Sequence, residues 1–244
     1  MYRRALFTLA LMIVVLGGGA CGGSDGGADA STLAVTPTVA PTVGASAAAG
    51  IVFCEPLQEG VQGEAGRAIA AVPYGVTVVY AAGTCEPDVD VEGRVAVRGE
   101  DGAQTYVAPA YTTDYVSFAG FVDLGTIVWT SAKGDLNGTP TVMTGLFLNA
   151  DAEVLFSQLG DPFVQVTTTA DGDQVLRTLT ERIGDVDNGL PLATFVDGEP
   201  LKGENGAIIA PTVRGQLTDS LVIAGLSRDG AEELKALING GAYR

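Results

Sequence analysis

The strongest constraint on the fold is a run of alternating β-patterned and helix-patterned segments over 163–241. FVQVTTT (163–169) alternates and is rich in β-branched residues, which predicts a strand. GDQVLRTLTERIG (172–184) has helical spacing: Val175, Leu176, Leu179 and Ile183 share one face, while Arg177, Glu181 and Arg182 can face water. Gly184 ends that helix. LATFVDGEP (192–200) is apolar up to Asp197-Gly198, a dipeptide suited to a tight hairpin turn. Pro211 follows IIA (208–210), so an edge or a strand end is expected there. SLVIAG (220–225) is a short apolar strand. In SRDGAEELKALINGG (227–241), Ser227 is placed to cap a helix, and Asp229, Glu232 and Glu233 sit near its positive end. Ala231, Leu234, Leu237 and Ile238 make its apolar stripe, and Gly240 and Gly241 stop it. Two helices against a small sheet, preceded by a β-rich region, predict the α+β class.

The other end of the chain is of a different kind. MYRR, then ALFTLALMIVVL (5–16), then GGGAC (17–21) follow the pattern of a signal peptide, too short for a spanning helix. Gly19 and Ala20 before Cys21 resemble the lipobox of bacterial lipoproteins, although the position three before the cysteine is Gly18 rather than the usual Leu. That resemblance implies acylation of Cys21, which becomes the new N-terminus and anchors the protein on the outer side of the cell membrane. Residues 22–49 are dominated by Gly, Ala, Ser, Thr and Pro without apolar period, the composition of an extended linker. The expected division is 1–20 signal peptide, 21–49 anchor and linker, 50–135 a β-rich domain, and 140–244 an α+β domain, with KGDLNGTPT (133–141) as the polar connector.

Within 50–135, GVTVVYAAG (75–83), EGRVAVRG (92–99), QTYVAPAY (104–111), DYVSFAGF (114–121) and GTIVWTS (125–131) read as extended pieces. QEGVQGEAGRAIAAV (58–72) is compatible with a short helix weakened by its glycines, and FLNADAEVLFSQLG (147–160) with another, carrying Ala152, Leu155, Phe156 and Leu159 along one side. With Cys21 acylated, Cys54 and Cys85 remain as an even pair outside the reducing cytosol, and a disulfide between them is the economical reading. Tyr74, Tyr80, Tyr106, Tyr111, Tyr115, Phe118, Phe121 and Trp129 concentrate here; they are core and rim residues of a sheet or, alternatively, the lining of a peptide or sugar groove.

The chain has no histidine, which removes Ser/His/Asp and Cys/His catalysis and the commonest metal ligand. Asp88 and Asp90 form a short D-x-D without calcium-loop spacing, which reads as a solvated turn. Asp171, Asp173, Asp185 and Asp187 flank helix ends, and Asp197 belongs to a turn. No metal, cofactor or catalytic residue is assigned. A formal charge of −16 argues against nucleic acid as a partner.

FVQV (163–166), TERIG (180–184), LATFVDG (192–198), APTV (210–213), VIAG (222–225) and GAEELKALINGG (230–241), in that order, resemble the first extracytoplasmic head domain of the SecD subunit of the protein-export machinery, and TGLFLNADA (144–152) echoes the segment ahead of it. The resemblance covers about 140–243. It implies an α+β domain that helps move or release exported polypeptides. The family continues into transmembrane helices that carry the proton-coupled step. Here the sequence ends at Gly241-Ala242-Tyr243-Arg244, so the expectation is a lipid-anchored binding or accessory protein that translocates no protons itself. Its expected partners are the bilayer, through acylated Cys21, and exported polypeptide or translocon subunits. The alternatives are a structural envelope lipoprotein that reuses the fold, and a hydrolase of envelope polymers built on uncommitted carboxylates.

Overall fold

The computed structural model describes residues 50–59, 68–112, 126–184, 189–204 and 206–241. The expected signal peptide, Cys21, the 22–49 stretch and the whole 114–121 piece lie outside them. In chain order the strands are β1 (Ile51–Pro56), β2 (Gln58–Glu59), β3 (Ala68–Val72), β4 (Thr77–Val78), β5 (Val95–Arg98), β6 (Gln104–Val107), β7 (Ala110–Thr112), β8 (Thr126–Ile127) and β9 (Trp129–Ser131). They continue as β10 (Lys133–Leu136), β11 (Thr139–Val142), β12 (Glu153–Phe156) and β13 (Pro162–Thr167). Helix α1 (Ala170–Gly184) follows, then β14 (Leu190–Pro191), β15 (Ala193–Val196), β16 (Glu199–Pro200), β17 (Thr212–Val213), β18 (Ser220–Ala224) and helix α2 (Arg228–Gly240).

The result is a mixed α+β unit of small antiparallel sheets and two helices. One sheet runs β16-β15-β1-β9, another β12-β13-β18. β1 is buried along its whole length: β15 pairs with Ile51–Cys54 and β9 with Cys54–Pro56, while Ile51 and Phe53 enter one core and Val52 and Cys54 another. Strands buried on both faces must be apolar throughout, and IVFCEP nearly is, with Glu55 as the exception. The expected domain boundary near 135–140 is crossed here: β1 comes from the anticipated β-rich domain and β15 from the C-terminal region. Both belong to one compact unit, Ala45–Arg244. The expected polar connector is instead the β10–β11 hairpin. Its turn residues Asn137 (φ 54°) and Gly138 (φ 82°) have the positive φ that matches strand twist in a two-residue hairpin, as do Asp197 (φ 56°) and Gly198 (φ 85°) between β15 and β16.

α1 and α2 form where the apolar spacing predicts them. Thr169 Oγ1 accepts from the Gly172 N–H at the start of α1 (3.1 Å), and Ser227 Oγ accepts from Gly230 N–H at the start of α2 (3.1 Å). Gly241 closes α2 in the left-handed region (φ 62°). Val175, Leu176, Leu179 and Ile183 of α1 and Ala231, Leu234 and Ile238 of α2 enter one core with Ile51, Phe53, Val164, Val166, Leu221 and Ile223.

Three expectations are corrected. The 147–160 stretch is not helical: Gly145–Phe147 makes one 3-10 turn and Glu153–Phe156 is strand β12, paired with β13 from Glu153↔Gln165 to Phe156↔Pro162. β13, buried at Val164 and Val166, supplies a ladder that outweighs weak helix propensity. The described ends of 58–72 are likewise strands β2 and β3, paired with each other. The segments of 163–241 also divide between sheets. β13 pairs with β18 through Phe163↔Ala224 to Thr167↔Ser220, whereas β15 joins β1 and β16 with Ala193, Thr194 and Phe195 all buried.

Candidate functional site

Cys54 and Cys85 are joined by a disulfide across a sequence separation of 31, and both are fully buried. The bond ties the 80–86 turn to β1 at the place where Trp129, Ala193 and Phe195 pack around it. Tyr80 meets Phe195 edge-on at 5.4 Å and Trp129 meets it at 6.4 Å. These two members of the aromatic set are core, not groove lining. Tyr106 is exposed on β6 and Tyr111 on β7, which belong to different sheets, and Tyr74 is exposed in the turn before β4. Tyr115, Phe118 and Phe121 lie outside the described residues.

The acidic candidates are occupied with local structure. Asp90 Oδ1 accepts from the backbone N–H groups of Glu92 and Arg94 (2.9 Å each), and its Oδ2 accepts from Arg94 Nε (2.7 Å). Desolvation opposes ionisation of Asp90, but the Arg94 backbone bond and the further donors together hold its carboxyl below the usual range. Asp88 accepts from the Tyr106 hydroxyl (3.2 Å), and that carboxylate raises the phenol of Tyr106. Asp171 and Asp173 occupy the first turn of α1, Asp173 bonded to the Thr168 hydroxyl. Asp197 is at a turn, and Glu232 pairs with Lys235 at 3.1 Å. Asp185 and Asp187 are outside the described residues. Among the described residues no group of three or more Cys, Asp or Glu side chains is placed to hold a metal. None of the described helices is long and apolar enough to cross a membrane.

Among the described residues, one feature with room for a ligand lies at β18. A cavity of about 50 Å³ opens beside it, lined by Leu192, Ile209, Val213 and Leu217 opposite Leu221 and Val222. That is several times the space a single water needs. β18 is the end strand of its sheet: β13 pairs with one side, and no described strand pairs with the other. The ladder phase shows which groups face out. Thr168 N–H donates to Asp219 C=O (2.9 Å), so hydrogen-bonded pairs fall at 219, 221 and 223, and the backbone N–H and C=O of Val222 point away from β13. The Val222 side chain is 52% exposed, while Leu221 and Ile223 are buried in the core. The sequence offers one signal for this site. SLVIA contains no Lys, Pro or acidic residue of the kind that blunts an edge strand.

Arg182, assigned by periodicity to water, instead forks onto buried Glu55 (2.8 Å to each carboxylate oxygen) and also donates to the Lys133 carbonyl (2.8 Å). Nothing in the helical spacing could reveal a partner 127 positions away.

No protein-family model matches the chain, and no curated protein matches it. Several solved chains are similar in part, two of them SecDF structures. One is a SecDF described as a membrane component that enhances protein export: 32% identity, 43% of this chain and 42% of that chain covered, TM-score 0.33. The other is SecDF in a super-membrane-facing form: 20% identity, 79% of this chain and 19% of that chain covered, TM-score 0.37. The chain thus spans less than half the length of either, and the similarity is distant and partial.

Proposed function

We propose that this chain is a lipid-anchored, extracytoplasmic accessory protein with a SecD-like head, which contacts exported polypeptide or the translocon's outer face. The observation that supports the reading most directly is the ordered set of segments from FVQV (163–166) to GAEELKALINGG (230–241). Each of those segments occupies an element of the folded unit: β13, the end of α1, the β15–β16 turn, β17, β18 and α2. One partly similar structure is described as enhancing protein export, in keeping with this role. Acylation of Cys21 supplies the attachment, and 22–49 the tether.

Crosslinking in living cells tests the role. Recovery of translocon subunits or nascent exported chains with this protein supports it; their absence under conditions that capture known export contacts overturns it. The anchor has its own test: incorporation of an alkynyl fatty acid that is lost in Cys21→Ser.

A further inference from the structure

We propose that the outer edge of β18, with the apolar cavity beside it, receives an extended cationic polypeptide segment by strand addition. This rests on the reading of the chain as a polypeptide-contacting accessory and assigns that contact to residues. Two features of the molecule converge on the mode. The first is the main-chain pair of Val222, which no described strand takes up and which provides a donor and an acceptor spaced for an incoming strand. The second is the cavity of about 50 Å³ along the same edge, which accepts one apolar side chain of that strand. Main-chain bonds supply affinity in this mode, and pockets for alternate side chains supply selection.

The charge of the occupant follows from the chain's own. Acidic residues outnumber basic ones 29 to 13, giving −16, so the protein's field concentrates cations and repels acidic segments. Near the groove, Asp219 precedes β18, and Glu181 accepts from Gln216 Nε2 (3.5 Å) just before the lining residue Leu217. Two basic residues lie near the lining: Arg214 has a partner of its own, and Lys202 bridges Ile208 beside Ile209. An extended segment with apolar residues alternating with lysine or arginine satisfies both demands.

The test is fluorescence anisotropy on the full chain with a labelled octapeptide of alternating valine and lysine, against one of alternating valine and glutamate. The lysine probe is expected to bind at least tenfold more tightly, the preference shrinking with salt. Val222→Pro deletes the outward N–H without touching the β13 ladder and is expected to weaken the lysine probe tenfold or more. Val222→Lys, at a half-exposed position, keeps the N–H but adds like charge and is expected to weaken it similarly; it decides the matter if the proline variant does not fold. In the unaltered chain, bound lysine probe is expected to slow exchange of the Val222 amide. Unchanged affinity in folded Val222 variants, or no protection of that amide, overturns the site; equal binding of both probes overturns the charge selection. The two readings fail separately. A missing in-cell crosslink to export components removes the export role and leaves peptide binding at Val222 intact, whereas binding that ignores Val222 removes this site and leaves the crosslink standing.

Discussion

Arg182 near the end of α1 grips Glu55 of β1 with Nη1 and Nη2, each 2.8 Å from a different carboxylate oxygen. The Glu55 side chain is 9% exposed and that of Arg182 is 32% exposed. The pair couples the first described strand to the first helix, and the bond from Arg182 to the Lys133 carbonyl fixes β10 to the same point. Arg182→Ala strands a carboxylate in the interior. Because water reaches part of the arginine, the expected cost is about 2–3 kcal/mol, below that of a fully buried pair. Arg182→Lys is expected to recover less than half, since an ammonium cannot fork onto both oxygens. The joint replacement Glu55→Gln with Arg182→Met is expected to be milder than Arg182→Ala alone. Urea unfolding of the three variants checks this ordering, and a null effect of Arg182→Ala would refute it.

The Cys54–Cys85 bond closes a loop with a sequence separation of 31 and is fully buried between β1 and the 80–86 turn. Its removal frees that loop in the unfolded chain. The expected loss is about 2–4 kcal/mol in the Cys54→Ala, Cys85→Ala double variant. The unaltered chain is expected to resist mild reductant until it unfolds, because neither sulfur is accessible. Thiol labelling during a denaturant series tests both statements; labelling of the native protein at low denaturant would contradict the second.

What periodicity could and could not reveal follows the range of the interactions. Helices α1 and α2 were legible because Val175, Leu179 and Ile183, or Ala231, Leu234 and Ile238, carry their spacing within a few turns. The Asp197-Gly198 turn is legible because few other dipeptides tolerate two positive φ angles, whereas Asn137-Gly138, the same kind of turn, lies in a stretch that reads as a polar connector. The 147–160 stretch was misread because Ala152, Leu155, Phe156 and Leu159 fit a helical face, while β13 was the deciding partner. Long-range pairing is equally hidden from local pattern: β1 pairs with β15 about 140 residues later. At the candidate site, the uncharged SLVIA run was visible, but the phase that turns Val222 outward needed the Thr168–Asp219 bond.

Gly134 on β10 lies where α1 passes closest. A Cβ there would stand 2.0 Å from the Val175 carbonyl oxygen and 2.8 Å from Thr178 Oγ1. The first of these is backbone in mid-helix and cannot swing aside. Gly134→Ala is therefore expected to push α1 off β10, breaking the 2.7 Å bond from Asp135 N–H to Thr178 Oγ1, at a cost of about 2–3 kcal/mol. Gly138→Ala, four residues on in open space at positive φ, meets only backbone strain and is expected to cost about 1 kcal/mol. Comparable denaturation midpoints for the two variants would show that the close approach is unimportant.

Tyr80 gives the fold a limit on the alkaline side. Burial pushes its phenol above the ordinary value, and the bond it accepts from Trp129 N–H (3.1 Å) offsets only part of that push. The charged form is thus disfavoured in the folded chain. Below the unfolded-state value of about 10 the contribution to stability is complete. As pH rises from there toward the folded-state value, the unfolded chain sheds a proton that the folded chain keeps. Stability should then fall by about 1.4 kcal/mol per pH unit for this single group. Tyr80→Phe removes that slope, but at neutral pH it leaves the Trp129 N–H unpaired at a cost of about 1–2 kcal/mol. The difference between the two proteins' unfolding free energies should therefore narrow as pH climbs past 10. Every other group is common to both proteins and drops out of that difference. Parallel curves from pH 8 to 11 would mean that the ring oxygen reaches solvent.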